Sequence, residues 1–65
     1  MQNVTQEYIL GIKEGRVMLE KYGIAIATDE IDSLKRTIKG FSASTAVGKM
    51  LRGEHDFWLN QVKRA

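Results

Sequence analysis

The sequence predicts a small all-α domain, two to three helices in one unit spanning residues 1–65. Three observations carry that expectation. Apolar residues recur at steps of three and four in separate segments, which is the period of a helix face. Glycines and capping residues fall where those segments end. Proline is absent, and no run of low complexity interrupts the pattern.

The first helix is expected over about 4–22. Asn3 suits an N-cap, and Gln6 three residues on suits the reciprocal capping box. Val4, Tyr8, Ile12, Leu19 and Tyr22 fall on one face, with Ile9 and Met18 beside it. Gly23 is the stop signal: a left-handed residue there would bring Leu19 and Ile24 together in a Schellman end. Within this helix Gly11 and Gly15 are four apart. Each costs about 1 kcal/mol relative to alanine in a helix interior. Together they make a smooth patch over which another backbone can pass closely, within the chain or between subunits.

Ile24–Ala27 alternates like a strand but has no second strand to pair with, so it reads as a buried, partly helical connector. A second helix is expected over 28–39. Thr28 would cap it, and Asp29 and Glu30 put negative charge on its positive end. Ile31, Leu34 and Ile38 form its inner face, and Asp32 is spaced to reach Lys35 and Arg36. Gly40 ends it, and Phe41 is expected to turn inward as an anchor.

The third helix is expected over 44–63, capped by Ser42 or Ser44. Ala43, Ala46, Val47, Met50, Leu51, Phe57, Trp58 and Val62 form its apolar stripe, and the stripe stays in register across Gly53, which favours one continuous helix. Glu54 interrupts the stripe, either as a rim residue whose stem covers apolar surface or as a partner for a base across a subunit interface. Arg52 and Asp56 are spaced for an ion pair.

Composition narrows the function classes. A chain this short buries a modest fraction of its surface and commonly needs a disulfide, a metal or a partner. With no cysteine and one histidine, disulfides, thiolate sites and a histidine cluster are excluded, and no metal or other cofactor is expected. That leaves self-association, with the helices intertwined in a homo-oligomer. Gly11, Gly15, Met50, Leu51, Phe57, Trp58 and Val62 are the expected interface residues, because aromatic anchors dominate such contacts. The opening residues lack the basic cluster and apolar run of a signal peptide, and no segment reaches membrane-spanning length. A cytoplasmic location with no membrane partner is therefore expected.

No constellation for catalysis emerges. Glu54, His55 and Asp56 are consecutive, and adjacent helical residues point about 100° apart, so His55 reads as a surface or stripe-edge residue. No nucleophile stands beside a base, and Ser42, Ser44 and Thr45 are better read as caps and turn residues. The expectation is a non-enzymatic protein. One local feature suggests DNA. The chain has ten basic and eight acidic residues, yet between Ser33 and Gly53 there are five cations and no acid. Residues 40–53 also resemble the turn and second helix of a helix-turn-helix, with Lys35, Lys39, Ser44, Thr45, Lys49 and Arg52 as the contacts. Against it, Lys35 stands where that motif usually has a small residue, and Gly48 offers no contact mid-helix.

The strings KGFSAST at 39–45 and MLRGEHDFWLNQ at 50–61, with TQEYI at 5–9, Gly11 and Gly15-Arg16, resemble short early proteins of temperate lambda-like bacteriophages. Some of those are encoded between the exonuclease and excisionase genes. The resemblance implies a small helical accessory protein in the cytoplasm of a bacterial host. It would bind a host or phage protein and bias the choice between lysis and lysogeny. It brings no catalytic residues. The leading expectation is thus protein–protein binding, with DNA regulation through segment 35–52 as the alternative.

Overall fold

A computed structural model describes residues 5–64. The chain is all-α, with no strand among the described residues. Helix α1 spans Gln6–Tyr22, a 3-10 turn covers Ile24–Ile26, α2 spans Ala27–Ile38, and α3 spans Ala46–Arg64. Helix α3 is the hub: α1 and α2 both pack on it rather than on each other. It runs unbroken through Gly53, as the register of its stripe suggests.

The caps differ from the expected ones. Thr5, not Asn3, caps α1. It is extended (φ −81°, ψ 162°), and its Oγ1 accepts from the Tyr8 N–H at 3.2 Å. Asn3 and Val4 lie outside the described residues. Thr28 sits inside α2, because the 3-10 turn feeds directly into that helix and leaves no place for a side-chain cap. Helix α3 is capped by Thr45 rather than Ser42 or Ser44: its Oγ1 accepts from the Gly48 N–H at 3.0 Å. The serines instead build the turn in front of it.

Gly23 does stop α1, by a different geometry. Its φ is 79°, where glycine is favoured, but its ψ is 178°, outside the left-handed helical region. That pair of angles is essentially glycine-only. A single bond from the Gly23 N–H to the Leu19 carbonyl at 2.8 Å closes the helix, without a Schellman pair.

The core is built on Ala27, Leu34, Phe57 and Trp58, flanked by Ile12, Met18, Leu19, Ile26, Ile31, Ile38 and Leu51. Trp58 is wholly buried. Phe57 meets it edge to face, ring centroids 5.4 Å apart at 80°, the favoured arrangement for two quadrupoles. The indole N–H of Trp58 has no hydrogen-bond partner among the described residues. Leaving such a donor unpaired costs about 1–3 kcal/mol, which the apolar area of a buried tryptophan offsets.

The contact between α1 and α3 is a glycine-lined crossing. A Cβ at Gly11 would overlap the Met50 carbonyl and lie 2.8 Å from the Glu54 nitrogen. A Cβ at Gly53 would overlap the Tyr8 carbonyl, and one at Gly15 would press on the Phe57 ring. Both helices therefore contribute glycines to one backbone-to-backbone contact, and the smooth patch expected on α1 is filled by α3 of the same chain. Beside it the Tyr8 hydroxyl donates to Asp56 Oδ2 at 2.5 Å. Phe41 does not turn inward as expected; it is 42% exposed.

Candidate functional site

The expected site residues separate into two groups. Gly11, Gly15, Phe57 and Trp58 are buried within the chain, Met50 and Leu51 are half-buried, and Val62 is exposed. Their apolar area is therefore mostly used in the chain's own core, and what remains for a partner lies elsewhere.

The second group is gathered at one corner of the molecule, where α2 ends and α3 begins. Lys35 and Arg36 lie in the last turn of α2, Lys39 caps it, and Lys49 and Arg52 follow in the first turns of α3. Residues 39–45 connect the helices. Gly40 N–H donates to Thr37 O and Phe41 N–H to Ile38 O, each at 3.0 Å, closing α2. Thr45 N–H then donates to Ser42 O at 3.2 Å, and Ser44 N–H to Ser42 Oγ at 3.2 Å. The turn folds so tightly onto α3 that a Cβ at Gly48 would overlap the Ser42 carbonyl. That is the reason for a glycine there.

This wiring decides which groups stay available. The Thr45 hydroxyl donates to Ser42 O at 2.8 Å while accepting from Gly48, so its one proton is committed. The Ser44 and Ser42 hydroxyls pair with each other at 2.9 Å. Arg52 Nη1 donates to the Gly48 carbonyl at 3.1 Å, which uses one of the five guanidinium donors and holds the group along α3. The expected ion pair from Arg52 to Asp56 does not form, because Asp56 instead accepts from Tyr8. Lys35, Arg36, Lys39, Lys49 and Arg52 therefore carry the charge of the corner. Between them stand two apolar side chains, Phe41 and Val47, both more than two-fifths exposed.

Charge is strongly segregated. Five of the ten cations and none of the eight acids lie between Ser33 and Gly53, giving that segment +5. The rest of the chain, five cations against eight acids, carries −3. Opposite in sign, Glu54 of α3 sits half-buried with Glu30 and Glu14 as its charged neighbours. Burial first, then those two carboxylates, push its pKa up. Its environment is thus acidic, and no base of the same chain pairs with it among the described residues.

His55 is also more covered than a surface residue. Its Nδ1 lies 3.9 Å from Asp56 Oδ1, and its Nε2 is buried without a partner. Among the described residues no group of three or more ligating side chains is placed to hold a metal ion, and no helix is long and apolar enough to cross a membrane. A shallow open groove of about 200 Å³ runs between α1 and α3 past Tyr8, Arg16, Asn60 and Arg64.

As a helix-turn-helix the corner departs from the motif. Seven residues (39–45) join α2 to α3, where that motif uses three or four. Two of its expected hydroxyl contacts, Ser44 and Thr45, already serve the turn and the cap. Comparison of the chain with protein-family models, with curated proteins and with solved structures finds no match.

Proposed function

We propose that the protein is a small non-enzymatic binding protein whose α2–α3 corner docks on an acidic surface of a partner protein. The observation that carries this reading is an acid-free +5 segment with exposed Phe41 and Val47 set among its cations. Protein interfaces are built this way, with aromatic residues and arginine at the centre and polar or charged groups at the rim. Charges arranged like this steer encounter and select partners of opposite sign. The resemblance to phage accessory proteins supports a partner in a bacterial host or of phage origin, and a role in phage development.

DNA is the second reading, favoured by the same cations at the N-terminal end of a helix, where phosphate is attracted. The committed hydroxyls and the long connection count against it.

One comparison separates the two. Nuclease-treated host lysate is passed over the immobilised full chain, in parallel with Phe41→Ser and Lys49→Ala/Arg52→Ala variants, and the chain is titrated with mixed-sequence duplex DNA. The proposal expects a protein captured by the parent chain and lost with either variant. DNA binding that falls steeply with salt and weakens in the lysine–arginine variant, yet is indifferent to Phe41→Ser, would replace it with the DNA reading.

A further inference from the structure

Helix α1 is apolar on two sides. Its inner side carries the crossing with α3. On its outer side Leu10 is 50% and Val17 55% exposed. Seven residues apart, they lie within about 20° of each other around the helix. Lys13 and Glu20 flank this line on one side and Glu14 and Lys21 on the other, by helical spacing. None of the four has an ion-pair partner among the described residues; Lys21 Nζ lies 5.9 Å over the Tyr22 ring.

We propose that a second copy of this chain docks here, with the two α1 helices antiparallel about a twofold axis at Val17. The charge pattern selects the occupant and the register. A twofold perpendicular to both helices keeps each flank facing its own counterpart. Positions equally distant from Val17 on either side come opposite one another. Lys13, four residues before the axis, then meets Glu20 of the partner subunit, three residues after it. On the other flank Glu14 meets Lys21 of the partner subunit. The twofold repeats each pair, giving four ion pairs and no like-charged contact among these residues. Along the seam Val17 meets its own counterpart. Leu10 reaches the far end of the partner helix, beyond which the 3-10 turn begins with the exposed Ile24. A parallel pair also matches charges, setting Glu14 beside the partner's Lys13, but it aligns the two helix dipoles unfavourably. The surface is independent of the α2–α3 corner, so the two proposals stand or fall separately.

Sedimentation equilibrium of the full chain, up to about 0.2 mM, tests this. The parent chain is expected to dimerise. Val17→Glu sets two carboxylates face to face on the axis and should leave a monomer. Lys21→Glu should weaken the dimer roughly tenfold or more. Glu14→Lys/Lys21→Glu, which exchanges the charges, should restore it. All these positions face solvent, and helicity by circular dichroism verifies that each variant stays folded. A monomeric parent, or a dimer untouched by Val17→Glu, overturns the proposal. So does a charge exchange that weakens the dimer further, since it would put like charges together in the parallel pair.

Discussion

Helix α3 is held on its two sides by different means. Against α1 the contact is backbone to backbone, made possible by Gly11 and Gly53 with Gly15 under the Phe57 ring. Against α2 it is side chain to side chain, with Ala27, Leu34, Ile31 and Ile38 of an ordinary amphipathic helix meeting Leu51 and Trp58. The first contact leaves no slack, because backbone cannot move aside as a side chain can. The second gains its energy from apolar volume and tolerates change in proportion to volume. A wedge should hurt the first, and a hole the second.

The sharpest test of that contrast sets Leu34→Ala beside Gly53→Ala. Leu34→Ala removes buried volume and should cost about 2–5 kcal/mol, a large share of the stability of a small domain. Gly53→Ala adds a methyl where the Tyr8 carbonyl sits. Overpacking of about 1–3 kcal/mol is partly offset by the better helix propensity of alanine, worth about 1 kcal/mol. Urea denaturation of both variants compares them. If Gly53→Ala were as stable as the parent or more so, the crossing would not be as tight as described.

Next in size is the polar bond beside the crossing. The hydrogen bond to Asp56, then burial and the carboxylate charge, push the Tyr8 hydroxyl up to about 12 from 10. The protonated phenol is therefore favoured in the fold. Its contribution is complete below about pH 10 and disappears as pH rises through about 12. Tyr8→Phe should cost about 1 kcal/mol at neutral pH, with the gap to the parent closing above pH 10. Absorbance titration of the tyrosinates should lose a component near 12 in that variant.

The smallest effect has the opposite sign. Burial, then the Glu30 and Glu14 carboxylates, disfavour the charged form of Glu54 and raise its pKa. Such a group stabilises the fold below its unfolded pKa, and that contribution is lost as pH rises through the folded value. Glu54→Gln should accordingly raise the melting temperature at pH 7. The gain should shrink when both proteins are melted near pH 4. A gain that is independent of pH would mean that neither burial nor the neighbouring carboxylates raise its pKa.

Much of this was legible in the residues. Periodicity set the three helices to within two residues of their observed ends wherever those ends lie among the described residues. The continuous stripe carried α3 across Gly53, and the Gly11–Gly15 spacing announced a close backbone approach. What periodicity does not encode is who approaches. A smooth patch looks the same whether α3 or a second subunit fills it, and burial alone decided that Phe57 and Trp58 are spent inside the chain. The caps are poorly legible for a related reason. Asn3, Thr5, Thr28, Ser42, Ser44 and Thr45 are all competent cap residues, and the choice among them depends on where the preceding backbone turns extended or continues helical. Leu10 and Val17 do not stand out in the pattern because the stronger inner stripe of the same helix dominates it. The acidic neighbours of Glu54 come from two other helices, Glu14 on α1 and Glu30 on α2, and spacing within one helix carries no trace of them.

The placement of α3 also has a consequence for how the chain folds. Tyr8 and Asp56, which meet at the crossing, are 48 residues apart. Helical proteins of this size usually fold quickly because neighbours in sequence close first. In this one the first helix has little to rest on until the last has been made, and α2 waits for the same surface. On a ribosome, α1 and α2 would emerge as unsupported segments, α2 too short and α1 too weakened by Gly11 and Gly15 to hold helical structure well alone. The native architecture would be reached in one late step, when α3 arrives to bind both.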